Sequence, residues 1–252
     1  MIKYILPVIL ALASCNGLLT DTKDPVVSNE PIDTLNIASK VRIEPALLEK
    51  AFIAGTSQFV NKNEFHLYGT EIGTINIPSG RLIACDPLHV DEYGIPFTQQ
   101  FPKGEFPVQL AIASIGGEEK VAFARVLFSD APVTRWQMAT TGDQQSLPVG
   151  GEEIVGFSVD GSTAIYMDEV VKKSFDPKLA ENYSSPLFVA MDKHYRRRWR
   201  FAMFPIGEHK VAAFSTGMGD GYFASYTGFD SAGQVCRLTT DFNIFEWRQK
   251  EQ

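Results

Sequence analysis

Phe106-Pro107-Val108-Gln109-Leu110-Ala111-Ile112-Ala113-Ser114-Ile115, then Gly116-Gly117, then Lys120-Val121-Ala122-Phe123-Ala124-Arg125-Val126-Leu127-Phe128 is the stretch on which the fold turns. Two runs rich in β-branched and aromatic residues flank a glycine pair, the pattern of a β-hairpin. Val121-Ala122-Phe123-Ala124 is apolar at consecutive rather than alternate positions, so both faces of that strand must meet apolar partners. Val211-Ala212-Ala213-Phe214 repeats the pattern further on. Strands of this kind belong in the middle of a sheet that is covered on each side.

Working outward, the same signals recur along the chain. Runs 72–77 and 81–85 flank Pro78-Ser79-Gly80 and predict a hairpin. Phe157-Ser158-Val159 leads through Asp160-Gly161 into 163–167, and that dipeptide favours a type I′ turn. Runs 210–215, 222–229 and 234–242 complete the series, the last two joined across 230–233. A helix is expected from Pro45 to near Gly55, with Leu47, Leu48, Phe52 and Ile53 as its apolar stripe, and another around 168–173. The expected fold is therefore α+β and predominantly antiparallel β: a sandwich or a strongly coiled sheet with one or two short helices.

The N-terminus reads as an address. Lys3 precedes an apolar stretch at 4–12, within the range of roughly 7–15 residues for a signal peptide and short of the roughly 20 needed to span a membrane. Leu12-Ala13-Ser14-Cys15 resembles a bacterial lipobox. In that pattern the chain is cut before the cysteine, whose sulfur carries diacylglycerol and whose new amine is acylated. The resemblance implies a lipid-anchored envelope protein, and Asn16 points to the outer membrane. The expected organisation is a removed signal peptide at 1–14, a lipidated N-terminus and flexible tether at 15–36, and a single β-rich globular domain at 37–252. Cys85 and Cys236 lie in strand-like runs and are expected as free thiols.

Composition narrows the function classes. The 252 residues are 44% hydrophobic and carry 30 acidic against 23 basic side chains, a net charge of −7, which argues against a general nucleic-acid binder. The motifs Ser79-Gly80-Arg81-Leu82-Ile83-Ala84-Cys85-Asp86-Pro87-Leu88 and Phe101-Pro102-Lys103-Gly104-Glu105-Phe106-Pro107-Val108, then the strand 121–128 and Trp136, come in a distinctive order. Gly219-Asp220-Gly221-Tyr222, Asp230, Gly233 and Asp241-Phe242 close the series. This order resembles a mainly bacterial family catalogued as domain of unknown function 4241, and the resemblance carries no established reaction.

Four places could carry chemistry. Asp86-Pro87-Leu88-His89-Val90-Asp91-Glu92 groups carboxylates and an imidazole just after a strand, suited to binding a hard cation or to acid–base work, or alternatively to a turn. Gly217-Met218-Gly219-Asp220-Gly221-Tyr222 surrounds Asp220 with glycines, as a tight hairpin or a ligand loop would. Arg125 interrupts an apolar strand and needs a carboxylate, for which Asp86 and Asp220 are the candidates. The basic stretch with Lys193, Arg196, Arg197, Arg198 and Arg200 fits either an anionic surface or a protected strand edge. No HExxH, EF-hand loop, CxxC, Walker loop or Gly-x-Ser-x-Gly is present, so no metal and no cofactor is expected. The expected function is an envelope lipoprotein that contacts the bilayer through Cys15 and binds an unknown protein or small molecule. The alternatives are a hydrolase, metal-dependent in one form, using Asp86, His89 and Asp220, and an immunity-like envelope protein.

Overall fold

Gly116 (φ 56°) and Gly117 (φ 88°) take the left-handed conformation that a two-residue hairpin turn requires. The residues on either side pair antiparallel from Val108 opposite Val126 to Ile115 opposite Glu118. The computed structural model describes residues 43–248. The lipobox-like residues and the tether lie outside them.

The described chain runs α1 (Leu47–Lys50), β1 (Thr56–Val60), β2 (Asn63–Ile77), β3 (Leu82–Cys85), α2 (Val90–Tyr93), β4 (Gly104–Ile115), β5 (Glu118–Leu127) and β6 (Arg135–Met138). It continues through β7 (Phe157–Val159), β8 (Thr163–Asp168), α3 (Glu169–Lys172), α4 (Pro186–Asp192), β9 (Phe201–Ile206) and β10 (His209–Ser215). The closing strands are β11 (Gly221–Phe223), β12 (Ser225–Phe229) and β13 (Val235–Asp241).

Seven strands form one antiparallel sheet in the order β1-β2-β4-β5-β13-β12-β6, and four form a second in the order β3-β8-β10-β9. β7 and β11 make a small third sheet. Irregular registers at Glu71/Gly73, Ala111/Ile112 and Gly228/Phe229 curl the large sheet. The fold is thus a β-rich α+β fold, as the patterning predicts.

The two larger sheets bury a shared core that includes Ile75, Val108, Leu110, Ile112 and Val126 from one and Ala164, Tyr166 and Phe214 from the other. The opposite face of the large sheet, with Ala111, Ala122 and Phe123, lies under α1 and the segment carrying Phe245 and Trp247. The opposite face of the four-stranded sheet, with Ile165, Met167 and Ala213, lies under Leu187, Phe188 and Met191 of α4. This layering is why β5 and β10 are apolar on both faces. Tyr166 reaches across the shared core, its Oη 2.6 Å from Thr240 Oγ1 and 3.2 Å from the Ala124 carbonyl.

Several local expectations are corrected. Runs 72–77 and 81–85 are strands but not a hairpin: β2 belongs to the large sheet and β3 to the smaller one. Asp168 draws the chain across by accepting from Ser79 N (3.1 Å) and Oγ (2.8 Å). Nor do 157–159 and 163–167 pair; β7 joins β11, while β8 joins β3 and β10. The positive φ there falls on Ser162 (51°), not on Gly161. Residues 217–222 likewise connect β10 to β11 in a different sheet instead of turning a hairpin. The first helix is one turn long, and Ile53 is exposed outside its stripe. Four short α-helices are present among the described residues where one or two were expected.

Candidate functional site

Asp86 ends β3 and begins the turn that Pro87 fixes. Its Oδ1 accepts from Leu88 N at 2.8 Å, and its Oδ2 accepts from Asp160 N and Gly161 N, both at 2.8 Å. The carboxyl is buried, which pushes its pKa up against the opposing pull of these N–H groups. Gly161 packs closely: a Cβ there would stand 2.7 Å from Leu88 Cδ1, which would have to turn aside, and 3.3 Å from Asp86 Oδ2.

The neighbouring residues of the same loop are held from two other directions. Asp160 places both carboxylate oxygens 3.1 Å from His89 Nε2. Ser162 donates both N and Oγ to Asp220 Oδ1 at 2.9 Å. The structure therefore brings Asp86, His89 and Asp220 together around one three-residue loop, 160–162. Asp160 and Ser162 are the partners that sequence reasoning missed; the Asp160-Gly161 dipeptide marks a bend but gives no sign of what grips it.

The chemistry divides between these groups. Asp86 has its oxygens filled by backbone N–H groups, so it organises the loop. The His89 side chain is 36% exposed and that of Asp160 is 66% exposed, and this pair faces solvent as an acid–base couple. A cleft of about 330 Å³ adjoins it, with Leu88 and Phe188 as apolar walls and Asp160, Glu181, Asn182 and Tyr183 as polar ones. Among the described residues no group of three or more His, Cys, Asp or Glu could hold a metal ion.

Arg125 is not part of this cluster. Its NH1 donates to Glu49 Oε1 at 3.1 Å, its Nε donates to Gln109 Oε1 at 2.9 Å, and its guanidinium lies 3.9 Å from the Phe52 ring centroid. Arg237 Nε donates to the same Glu49 oxygen at 3.1 Å. The reason is register: Arg125 stands opposite Gln109 and Thr239, on the face of the large sheet that α1 covers. Burial brings its pKa down to about 10, opposed by the Glu49 charge. The carboxylate that Arg125 requires thus comes from the helix, not from Asp86 or Asp220.

The family described as "Protein of unknown function (DUF4241)" matches residues 75–240. The chain belongs to this family. No curated protein and no solved structure matches the chain. The DUF4241 region starts near the end of β2 and runs into β13, so it holds the whole 160–162 loop and each residue that grips it.

The basic stretch of the DUF4241 region forms the turn from α4 to β9. Arg196 and Trp199 exchange backbone hydrogen bonds across Arg197 (φ 20°) and Arg198 (φ 83°). Arg197 pairs with Glu119 at 3.4 Å, Arg198 with Glu118 at 2.9 Å, and Arg200 with Asp192. Trp199 Nε1 also donates to Glu119 Oε2 at 2.9 Å. Arg197 and Arg198 therefore pair with the first residues of β5 while staying exposed, as Lys193 and Arg196 are, and Arg200 alone of the five cations is half-buried. Cys85 and Cys236 are both buried and free. Burial pushes the Cys85 thiol up, away from the range in which it would be reactive at neutral pH.

Proposed function

We propose that the protein is a lipid-anchored envelope protein, attached through acylated Cys15, whose domain binds a ligand or protein partner. The use of Asp86 supports binding over catalysis: the carboxyl most suited to proton transfer is occupied by Leu88 N, Asp160 N and Gly161 N. What that arrangement leaves is a rigid loop beside a cleft, a common design for recognition. The signal-like leader and the lipobox-like 12–15 support the anchor, with the outer membrane suggested by Asn16. Two or more acyl chains make such attachment stable, whereas one is marginal. Metabolic labelling with an azido fatty acid tests it: the wild-type protein takes up label, and Cys15→Ala loses it. Undiminished label in the variant refutes the anchor.

The convergence of Asp86, His89 and Asp220 on one loop is the observation in favour of hydrolysis. Its test is a panel of ester, amide and phosphodiester substrates, with turnover present in the wild type and lost in His89→Ala.

A further inference from the structure

We infer that the cleft beside the 160–162 loop takes an organic cation, a guanidinium or ammonium group on a short aliphatic arm. The inference rests on the binding reading above and assigns it a ligand class.

Three features of the cleft point to this chemistry. Two carboxylates face it from opposite sides of the sequence, Asp160 on the gripped loop and Glu181 before α4. Asp160 is held by an imidazole and not by a permanent cation, and Glu181 has no cationic partner among the described residues. The cleft therefore keeps negative charge, in a chain that is already acid-rich. Tyr183 is 65% exposed and presents a ring to the same space, where a cation is attracted to the π face. Leu88 and Phe188 offer apolar surface to an aliphatic arm.

The fold contains its own precedent for this contact. Arg200 sits 5.8 Å from the Tyr183 ring centroid and 5.5 Å from that of Phe188, so this aromatic pair already accepts a guanidinium. Arg200 is committed to Asp192, and no Lys or Arg ion pair to Asp160 or Glu181 is present among the described residues. A volume of about 330 Å³ lies at the low end for small-molecule sites, which suits one side-chain-sized group. The His89–Asp160 pair holds the loop carboxylate in place, so little ordering is needed on binding.

The test titrates the full-length protein in detergent with three probes, following the Leu88 methyl resonances. The probes are N-acetyl-arginine methylamide, agmatine and the neutral N-acetyl-citrulline methylamide. Both cations should shift Leu88 saturably, more weakly as salt rises, and the citrulline compound should not. Asp160→Asn and Glu181→Gln should each weaken the response by about two- to fivefold, since the groups are partly exposed. The backbone N–H of Asp160 still donates to Asp86 Oδ2 in the Asn variant, and Glu181→Gln leaves every contact of the loop untouched. Tighter binding of the arginine derivative than of agmatine identifies a peptide side chain as the source; the reverse order identifies a free amine. Equal binding of the citrulline compound overturns the cation assignment and leaves the binding reading standing. No saturable shift with any probe up to about 10 mM overturns the assignment and removes the cleft from the binding reading as well.

Discussion

Glu49→Gln is the sharpest test of how the large sheet is held to its covering helix. The glutamine keeps the volume and one acceptor oxygen but removes the charge that two guanidiniums share, each at 3.1 Å. The Arg125 and Arg237 side chains are only 12% and 7% exposed, so water cannot replace the carboxylate well. Stripping one partner from a buried ion pair costs about 3–5 kcal/mol. Glu49 itself is 30% exposed, and the screening this allows lowers the expectation to about 2–3 kcal/mol. In a domain of this size each kcal/mol shifts Tm by about 2–4 °C, so the variant should melt about 4–12 °C lower by circular dichroism. Arg125→Met in the Glu49→Gln background should recover a good part of the loss. It removes one of the two uncompensated cations and places an apolar chain on Phe52. A Glu49→Gln melt within about 1 °C of wild type, or a double variant that merely adds two losses, would refute the reasoning.

Two further outcomes follow from the gripped loop. The raised Asp86 pKa means that the folded protein holds this proton to higher pH than the unfolded chain does. Its contribution to stability is therefore complete below the unfolded value of about 3.9 and declines as pH rises through the folded one. The stability difference between wild type and Asp86→Asn, from urea melts, should grow as pH falls through that window, by up to about 1.4 kcal/mol per pH unit; a difference independent of pH contradicts this. Gly161→Ala should cost about 1 kcal/mol, the low end for overpacking, because its Cβ meets Leu88 Cδ1 at 2.7 Å and that half-buried side chain can turn aside; a loss of about 3 kcal/mol would show that Leu88 is held in place.

The parts of this fold that were legible in the sequence are those set by neighbours along the chain. The Gly116-Gly117 hairpin and the β12–β13 hairpin depend on turn residues a few positions from the strands they join. Two-sided apolar runs in β5 and β10 announce burial on both faces whatever does the burying. What was misread depends on which sheet a strand joins. Ser79 is held by Asp168, and Asp160 by Asp86, through contacts 89 and 74 residues apart, and a turn dipeptide says nothing about either. The same limit governs the site. Asp86, His89 and Asp220 are brought to one loop, whereas Arg125 finds Glu49, a residue 76 positions upstream on a one-turn helix that carries no distinguishing signal.

The position of β13 has a kinetic consequence. β5 pairs with β4 across two residues, but its other edge waits for β13, which aligns Asp241 with Phe123 across more than a hundred residues. Closing a loop of that length is slow compared with forming a hairpin. Until it happens, a strand whose Val121–Ala124 run is apolar on both faces offers an open ladder of backbone N–H and C=O groups, the arrangement from which strand-to-strand aggregation begins. Synthesis halted before Val235 would leave that strand unpaired on one side, so the large sheet completes only once β13 has emerged.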